Sequence, residues 1–169
     1  FKVDDTILSA KLAKGLAPDQ SMVISLEWVH YIGNFLERAG RVGKQYNFAQ
    51  WYPRVVVYDE NGWFDEPFHA EGEFYGEFGT YKVKMDVPKG YIIGSTGTLT
   101  EGDPGWKEVE VDTSQNFSDW LQNFKDNRIK YSTNDRRVVS FYAENVHDFA
   151  WVTSPDFLYE YGSWDGIDV

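Results

Sequence analysis

The sequence predicts an all-β fold, a two-sheet β-sandwich with one short helix near residues 115–126. Aromatic residues make up 18% of the 169 residues, and aromatic rings favour strands because they cover a half-buried pleated surface well. Short alternating stretches recur between turns rich in Gly and Pro, which is typical of a sandwich. The length suits one hydrophobic core, so we expect a single domain over residues 1–169.

Two-residue alternation identifies the clearest strands. Residues 81–87 and residues 21–28 each place apolar side chains on one face and polar side chains on the other, as a half-buried strand requires. Further strands are predicted at residues 6–12, 48–58, 91–100, 107–111, 138–143 and 149–152. Pro53 interrupts the stretch 48–58, because proline donates no ladder hydrogen bond, and this predicts an edge, a bulge or two short pieces.

The remaining segments are predicted as a loop, a turn and a helix. Residues 33–45 hold three Gly and four charged residues without a period, which predicts a loop. Asn61-Gly62 predicts a tight turn, since this pair tolerates the positive φ of hairpin turns. Phe117, Trp120, Leu121 and Phe124 follow helical spacing and predict the one helix.

Charge and composition exclude several classes of partner. The chain has 27 Asp and Glu against 16 Lys and Arg, a formal charge of −11, so a nucleic-acid backbone would be repelled. No stretch approaches the roughly 18 apolar residues of a membrane span. Cysteine is absent, which excludes disulfides and thiolate sites but leaves the compartment open; a periplasmic or secreted bacterial origin is compatible with it.

No catalytic motif is recognisable in the sequence. His30, His69 and His147 are each followed by a residue other than Glu, so the H-E-x-x-H pair of a zinc peptidase is absent and no metal site is expected. Two of Glu71, Glu73 and Glu77, which lie among aromatic residues, could in principle act as a glycosidase pair, but such near neighbours arise by chance among 27 acidic residues, which favours a solvated face. The stretch 165–168 is interpreted as a turn, because it lacks the regularly spaced oxygen ligands of a calcium loop.

Several stretches, in order, carry a family resemblance. The chain resembles the N-terminal domain of zinc aminopeptidases of the aminopeptidase N type, particularly their bacterial branch. The similar stretches are Asn47-Phe48-Ala49-Gln50-Trp51-Tyr52-Pro53-Arg54, Tyr58-Asp59-Glu60-Asn61-Gly62-Trp63, Gly72-Glu73-Phe74-Tyr75, Tyr81-Lys82-Val83, Ile93-Gly94-Ser95-Thr96-Gly97 and Ala143-Glu144-Asn145-Val146-His147-Asp148-Phe149-Ala150-Trp151.

The resemblance implies a non-catalytic role for this chain. In that family the N-terminal domain is a saddle-like β structure that packs on a thermolysin-like catalytic domain, and the zinc ligands lie in the second domain. The resemblance therefore implies no cofactor in this chain and zinc in the missing catalytic domain. The implied partners are that catalytic domain and a peptide substrate. The resemblance also implies that residues 155–169 are linker-like and that the chain is truncated before the catalytic domain.

One residue of the family's substrate cleft belongs to this domain. It is a Gln near the amino-terminal end of the substrate, and by motif position Gln50 is the substrate-binding candidate. Here the family's Phe-Pro-x-x-Asp-Glu-Pro segment is replaced by Trp51-Tyr52-Pro53 and a later Tyr58-Asp59-Glu60. The alternative is that Gln50 is an ordinary strand residue.

Three further interpretations concern aromatic residues and the His147-Asp148 pair. Trp51, Tyr52 and Trp63 are expected to pack in the core or at a domain interface. His147 and Asp148 are neighbours on a predicted strand and would point to opposite faces, which favours packing over catalysis. The alternative function is a carbohydrate-binding module, which needs two or three solvent-facing rings in a row, with the candidates Trp51, Tyr52, Trp63, Trp106 and Trp164.

Overall fold

The computed structural model describes residues 1–35, 38–69, 75–132 and 134–169, and it confirms an all-β fold with one short α-helix. The strands are β1 (Lys2–Asp4), β2 (Ile7–Ser9), β3 (Ala39–Val42), β4 (Gln45–Phe48), β5 (Tyr58–Asp59), β6 (Gly62–Trp63), β7 (Gly79–Pro88), β8 (Ile92–Ser95), β9 (Thr98–Glu101), β10 (Arg136–Val146), β11 (Trp151–Ser154), β12 (Ser163–Trp164) and β13 (Ile167–Asp168). The helices are a 3-10 turn at Trp106–Glu108 and α1 at Phe117–Asn127.

The chain divides into two compact units. The first unit, Phe1–Tyr31 with Pro53–Glu77, contains the hairpins β1–β2 and β5–β6. The second unit, Ile32–Tyr52 with Phe78–Val169, contains a three-stranded sheet ordered β7-β10-β9, a four-stranded sheet ordered β3-β4-β11-β8 and the hairpin β12–β13. The single domain over residues 1–169 stays a prediction, because compact units of one chain can belong to one domain or to two.

One apolar core joins the two larger sheets of the second unit. Strands β7 and β10 contribute inward-facing side chains, Ile93 on β8 contributes one from the four-stranded sheet, and Phe149 enters just before β11. Phe141, Phe149, Ile93 and Val139 are essentially inaccessible to solvent. Two sheets that bury their apolar faces against each other form a sandwich, so this unit has the two-sheet arrangement expected from the sequence.

The long pair β7–β10 confirms the alternation predicted over residues 81–87. Val139 lies opposite Met85 and Phe141 opposite Val83, so the inward positions of both strands coincide in register. A one-residue slip would move every one of these side chains to the solvent face. Burial of the apolar faces therefore fixes the register.

The chain passes between the two sheets at two tight corners. Gly97 joins β8 to β9 with φ +84, and a β-carbon there would lie 2.9 Å from that of Ala143, so backbone and space both require glycine. Asn145, with φ +58, lies where the β7–β10 register shifts between Ala143 and Val146. Such a bulge bends a strand and ends its pairing, which here redirects the chain towards β11.

A buried arginine closes one end of the sandwich. The Arg137 guanidinium donates to the Lys89 carbonyl at 2.7 and 3.0 Å, to the Asp103 carbonyl at 2.8 Å and to the Glu108 carboxylate at 2.8 Å. Only 3% of this side chain is exposed. A charge is tolerated at this depth because it is paired and its donors are satisfied.

The helix lies within two residues of its predicted position at both ends, starting at Phe117 and ending at Asn127. Its N-cap is Asn116, whose side-chain oxygen accepts from the backbone N–H groups of Ser118 and Asp119 at 3.0 and 3.4 Å. Along one face the rings of Phe117, Trp120 and Phe124 stack, with centroids 6.1 and 5.2 Å apart. Of these three rings only Trp120 is buried, whereas Phe117 is 53% exposed.

Tyr159 attaches the segment that follows β11 to the segment around the 3-10 turn, within the second unit. Its N–H donates to the Val109 carbonyl at 2.9 Å, and its carbonyl accepts from the Val111 N–H at 2.7 Å. Its ring stacks on Trp106 with centroids 5.5 Å apart. Farther on, Asp165 and Gly166 both have positive φ and form the predicted turn, between β12 and β13.

Three strand and loop predictions are corrected by the structure. Residues 21–28 lie in no strand, and Met22, Ile24 and Leu26 are 44%, 59% and 45% exposed, because no sheet face within the described chain covers them. Residues 33–45 are not wholly loop, since β3 occupies Ala39–Val42 and pairs with β4 around a turn at Gly43. Residues 107–111 form the end of a 3-10 turn and a single bridge between Glu110 and Tyr159, not a strand.

Other predictions hold. The strand predicted over residues 48–58 is an exception and is wrong for residues 49–57, which lie in no strand; β4 ends at Phe48 and β5 starts at Tyr58, on either side of Pro53. The predicted turn Asp59-Glu60-Asn61-Gly62 joins β5 to β6, and Gly62 has φ +103. Predicted strands at residues 6–12, 91–100, 138–143 and 149–152 each overlap an observed strand.

Truncating the core should destabilise the protein strongly. Phe141→Ala removes a ring that both sheets enclose, and the cavity plus lost burial should lower the free energy of unfolding by about 3 to 5 kcal/mol. Val138→Ala is the matched control, because Val138 lies three residues earlier on the outer face of β10 and is 44% exposed; it should cost less than about 1 kcal/mol. Urea unfolding monitored by circular dichroism measures both, and equal losses would contradict the assigned core.

Candidate functional site

Gln50 lies just after β4 in an unusual backbone conformation. Its φ is +53°, in the left-handed region that residues with a β-carbon adopt rarely, and its side chain is half-buried. A left-handed residue costs about 1 to 2 kcal/mol, so surrounding contacts must hold it there. Those contacts come from the two aromatic residues that follow.

Trp51 anchors this segment to the core. Its indole Nε1 donates to the Phe149 carbonyl at 3.0 Å, and its ring meets Trp151 edge-on with centroids 6.4 Å apart. Trp151 in turn stacks on Phe48 at 4.0 Å. Because the Phe149 side chain is fully buried, the acceptor for Trp51 is fixed by the core itself.

Tyr52 anchors the segment a second time through its hydroxyl group. The hydroxyl oxygen lies 2.8 Å from Asp148 Oδ1 and 3.0 Å from the Tyr81 hydroxyl. A tyrosine hydroxyl carries one hydrogen, so we assign it as donor to the carboxylate and as acceptor from Tyr81. Burial, followed by the hydrogen bond donated to Asp148 and the negative charge of that carboxylate, raises the pKa of Tyr52 far above its ordinary value.

The Asp148 carboxylate has a structural role here. Besides Tyr52, it accepts from the backbone N–H of Phe149 at 2.8 Å, whereas His147 packs its exposed ring against Phe78 with centroids 5.8 Å apart. The two adjacent side chains thus have different surroundings, in agreement with the packing interpretation. Asp148 and Tyr81 were not expected as partners of Tyr52, because 96 and 29 residues separate them from it.

Trp151 carries an unusual polar atom in the same aromatic group. Its indole Nε1 is buried and has no hydrogen-bond partner among the residues that the structure describes. Trp51 packs edge-on to this ring, so the environment of the nitrogen is aromatic. The contacts of Trp51 with Trp151 and with the Phe149 carbonyl hold the segment that carries Gln50.

The histidines and acidic residues do not form a metal centre in the described ranges. Over residues 1–35, 38–69, 75–132 and 134–169, no group of three or more His, Cys, Asp or Glu could hold a metal ion. His69 lies 3.8 Å from Glu66 at the surface, and His30 is exposed. Of the proposed glycosidase cluster, Glu71 and Glu73 lie outside the described residues, and Glu77 is exposed.

The candidate sugar-stacking rings differ in exposure. Trp51, Tyr52 and Trp106 are half-buried, and the Trp106 indole donates to the Ile93 carbonyl at 2.7 Å. Trp63 and Trp164 are 60% and 81% exposed, the first in the first unit and the second in the second unit. Trp63 lies edge-on to Tyr58 across the β5–β6 hairpin, with centroids 4.9 Å apart.

The second unit contains a partly open pocket of about 20 Å³, room for a single water. It is lined by Gly90, Glu108, Val109, Arg128, Ile129 and Tyr131. Burial and the Glu108 hydrogen bond raise the pKa of Tyr131 there. A pocket of this size is too small for a substrate.

Comparison with known proteins adds no family. No protein-family model, no curated protein and no solved structure matches the chain. In the part of the chain that the structure describes, no helix has both the length and the apolar character needed to cross a membrane. The role of Gln50 in substrate binding stays a prediction.

Removing the Tyr52 hydroxyl should destabilise the anchored segment. Tyr52→Phe leaves the half-buried Asp148 carboxylate and the Tyr81 hydroxyl without their shared partner, and should lower the free energy of unfolding by about 1 to 3 kcal/mol. Tyr142→Phe is the matched control, since its hydroxyl bonds to Glu144 at the surface; it should cost less than about 0.5 kcal/mol. Urea unfolding compares them, and a neutral Tyr52→Phe would show that the bond contributes nothing.

The raised pKa of Tyr52 predicts a loss of stability at high pH. The unfolded chain releases this proton near the ordinary pKa of 10.0, whereas the folded chain retains it to higher pH. The stabilisation is therefore fully present below about pH 10 and is lost as the pH rises towards the folded pKa. The free energy of unfolding should fall less steeply above pH 10 in Tyr52→Phe than in the wild type, with Tyr58→Phe as control; equal slopes would contradict the prediction.

Proposed function

We propose that this chain is the non-catalytic N-terminal β domain of a zinc aminopeptidase-like metallopeptidase, in which it shapes the substrate cleft and packs on a zinc-bearing catalytic domain. The family resemblance of the ordered sequence stretches motivates the proposal. The observation that carries it is the geometry at Gln50. A strained backbone position held by two independent anchors is a reason to suspect function.

The anchored position suits a side chain that contacts a substrate. Gln50 is half-buried, so its amide has limited freedom while part of it stays accessible. The amide oxygen can accept a hydrogen bond from the free ammonium group of a peptide, which is the group that an aminopeptidase must recognise. Rigid support from Trp51 and Tyr52 is what precise binding geometry requires.

Exposed apolar side chains in the first unit support packing against another domain. Met22, Val23, Ile24 and Leu26 are all at least 44% exposed and lie in one stretch of chain. Contiguous apolar exposure of this kind marks interaction surfaces more often than free surface. Under the proposal, the catalytic domain covers this stretch.

The proposal divides the chemistry between two domains. Zinc and the residues that activate water belong to the catalytic domain, whereas this chain contributes shape, packing and one polar contact at the amino-terminal end of the peptide. A carbohydrate-binding role has less support, because three of its five candidate rings are half-buried and the two exposed ones belong to different units.

The test compares this chain with the full-length protein that contains it. We expect stoichiometric zinc and hydrolysis of aminoacyl fluorogenic substrates in the full-length protein and neither in this chain alone. In the full-length protein, Gln50→Ala keeps the β-carbon and thus the backbone cost but removes the amide, so kcat/KM should fall roughly tenfold or more. Gln122→Ala, at an exposed helix position, should leave kcat/KM unchanged.

Two outcomes would reject the proposal. Stoichiometric zinc or peptide hydrolysis by this chain alone would place the chemistry here and not in a second domain. Loss of activity in Gln50→Ala accompanied by an equal loss in Gln122→Ala would show a general folding effect and not a substrate contact. Circular dichroism of each variant distinguishes unfolding from loss of binding.

A further inference from the structure

Asn61 is the single asparagine of this sequence that is followed by glycine, and the pair lies at the end of the β5–β6 hairpin. We propose that Asn61 is a site of spontaneous deamidation, converted without an enzyme into a mixture of aspartate and isoaspartate. The inference is independent of the function proposed above. It rests on the chemistry of the pair and on its place in the fold.

The reaction needs only the peptide and water. The Gly62 backbone nitrogen loses its proton and attacks the side-chain carbonyl carbon of Asn61, forming a new C–N bond. The bond from that carbon to the Asn61 amide nitrogen breaks, and ammonia leaves with the added proton. Water then opens the resulting succinimide at either carbonyl, which gives aspartate or isoaspartate, and no electrons are gained or lost.

Access to the Gly62 nitrogen is the first structural requirement. Gly62 carries no β-carbon to shield it, and among the described residues other than its two chain neighbours none lies within 4 Å of where one would be. Asn61 is exposed, and its own N–H donates to Asp59 Oδ1 at 2.8 Å. The attacking and attacked groups therefore lie in an uncrowded turn at the surface.

The second requirement is freedom to reach the cyclic geometry. The hairpin has two residue pairs, Tyr58 with Trp63 and Asp59 with Gly62, and one further backbone hydrogen bond, from the Phe64 N–H to the Val57 carbonyl at 2.9 Å. An isolated two-stranded ribbon is marginally stable, and one this short opens by local unfolding far more readily than the core sheets. Each opening frees the Gly62 N–H and lets Asn61 rotate towards it.

Other asparagines lack one or both of these features. Asn116 caps the helix through its side-chain oxygen, and Asn127 donates its amide to the Asn123 carbonyl at 2.9 Å, so both side chains are held. Asn145 precedes Val146, whose branched side chain shields the backbone nitrogen. These positions serve as internal references within the same molecule.

The product would alter the hairpin. Isoaspartate inserts an extra methylene into the backbone, which a two-residue turn cannot absorb without losing the register of Tyr58 with Trp63. Either product adds one negative charge to a chain whose formal charge is already −11. A more acidic charge variant should therefore accumulate with time.

Incubation at mildly alkaline pH and body temperature, followed by peptide mapping with mass spectrometry, tests the proposal. The Asn61 peptide should convert before every other asparagine peptide and should yield isoaspartate. Gly62→Ala should slow this conversion about tenfold, equivalent to about 1.4 kcal/mol in the barrier, even if the hairpin opens, because the β-carbon shields the nitrogen in open chain as well.

Asn61→Gln is the second variant. The longer side chain of glutamine must close a less favourable ring, so the early conversion at position 61 should be abolished. The other asparagine peptides should keep their conversion rates. Conversion of another asparagine before Asn61, or an unchanged rate in Gly62→Ala, would overturn the proposal.

Discussion

The apolar layer shared by the two larger sheets is the constraint on which the second unit depends. Phe141 and Val139 on β10 meet Ile93 from the opposite sheet and Phe149 from the chain between β10 and β11. The same Phe149 offers its carbonyl to Trp51. The core therefore sets the position of the backbone that carries the candidate site, and a change in core packing would reach Gln50 through one residue.

Polar interactions close the two ends of this core in different ways. Arg137 satisfies backbone carbonyls and one carboxylate at a buried site, while the Tyr52 hydroxyl joins Asp148 and Tyr81 at a half-buried one. A buried polar group left without a partner is costly, so each network tolerates few substitutions. Both networks connect segments that are distant in sequence. They therefore restrict the movement of the loops between these segments.

Sequence patterns predicted the elements whose stability is local or periodic. Three patterns depend only on a few neighbouring residues. They are the alternation of β7, the helical spacing around Trp120 and the turn that contains Asn61-Gly62. Alternation alone failed at residues 21–28, because a strand also needs a neighbour. The same criterion missed β3, because its Gly and charged residues do not alternate; β3 forms by pairing with β4.

The candidate site was less predictable than the fold. Motif position identified Gln50, but its left-handed φ depends on anchors that a linear pattern does not reveal. Tyr52 and Asp148 are 96 residues apart, and an adjacent histidine made Asp148 resemble half of a catalytic pair. The burial of Arg137 has no signal in the local sequence, because it depends on acceptors that lie 29 to 48 residues away along the chain.

The attachment of Tyr159 has a mechanical consequence. Its two backbone hydrogen bonds to Val109 and Val111 and its ring contact with Trp106 are side by side on one short stretch. Tension applied at the carboxyl end of the chain would first open the β12–β13 hairpin and would then load the Tyr159 contacts. Force would reach β11 and the core only after these contacts had separated.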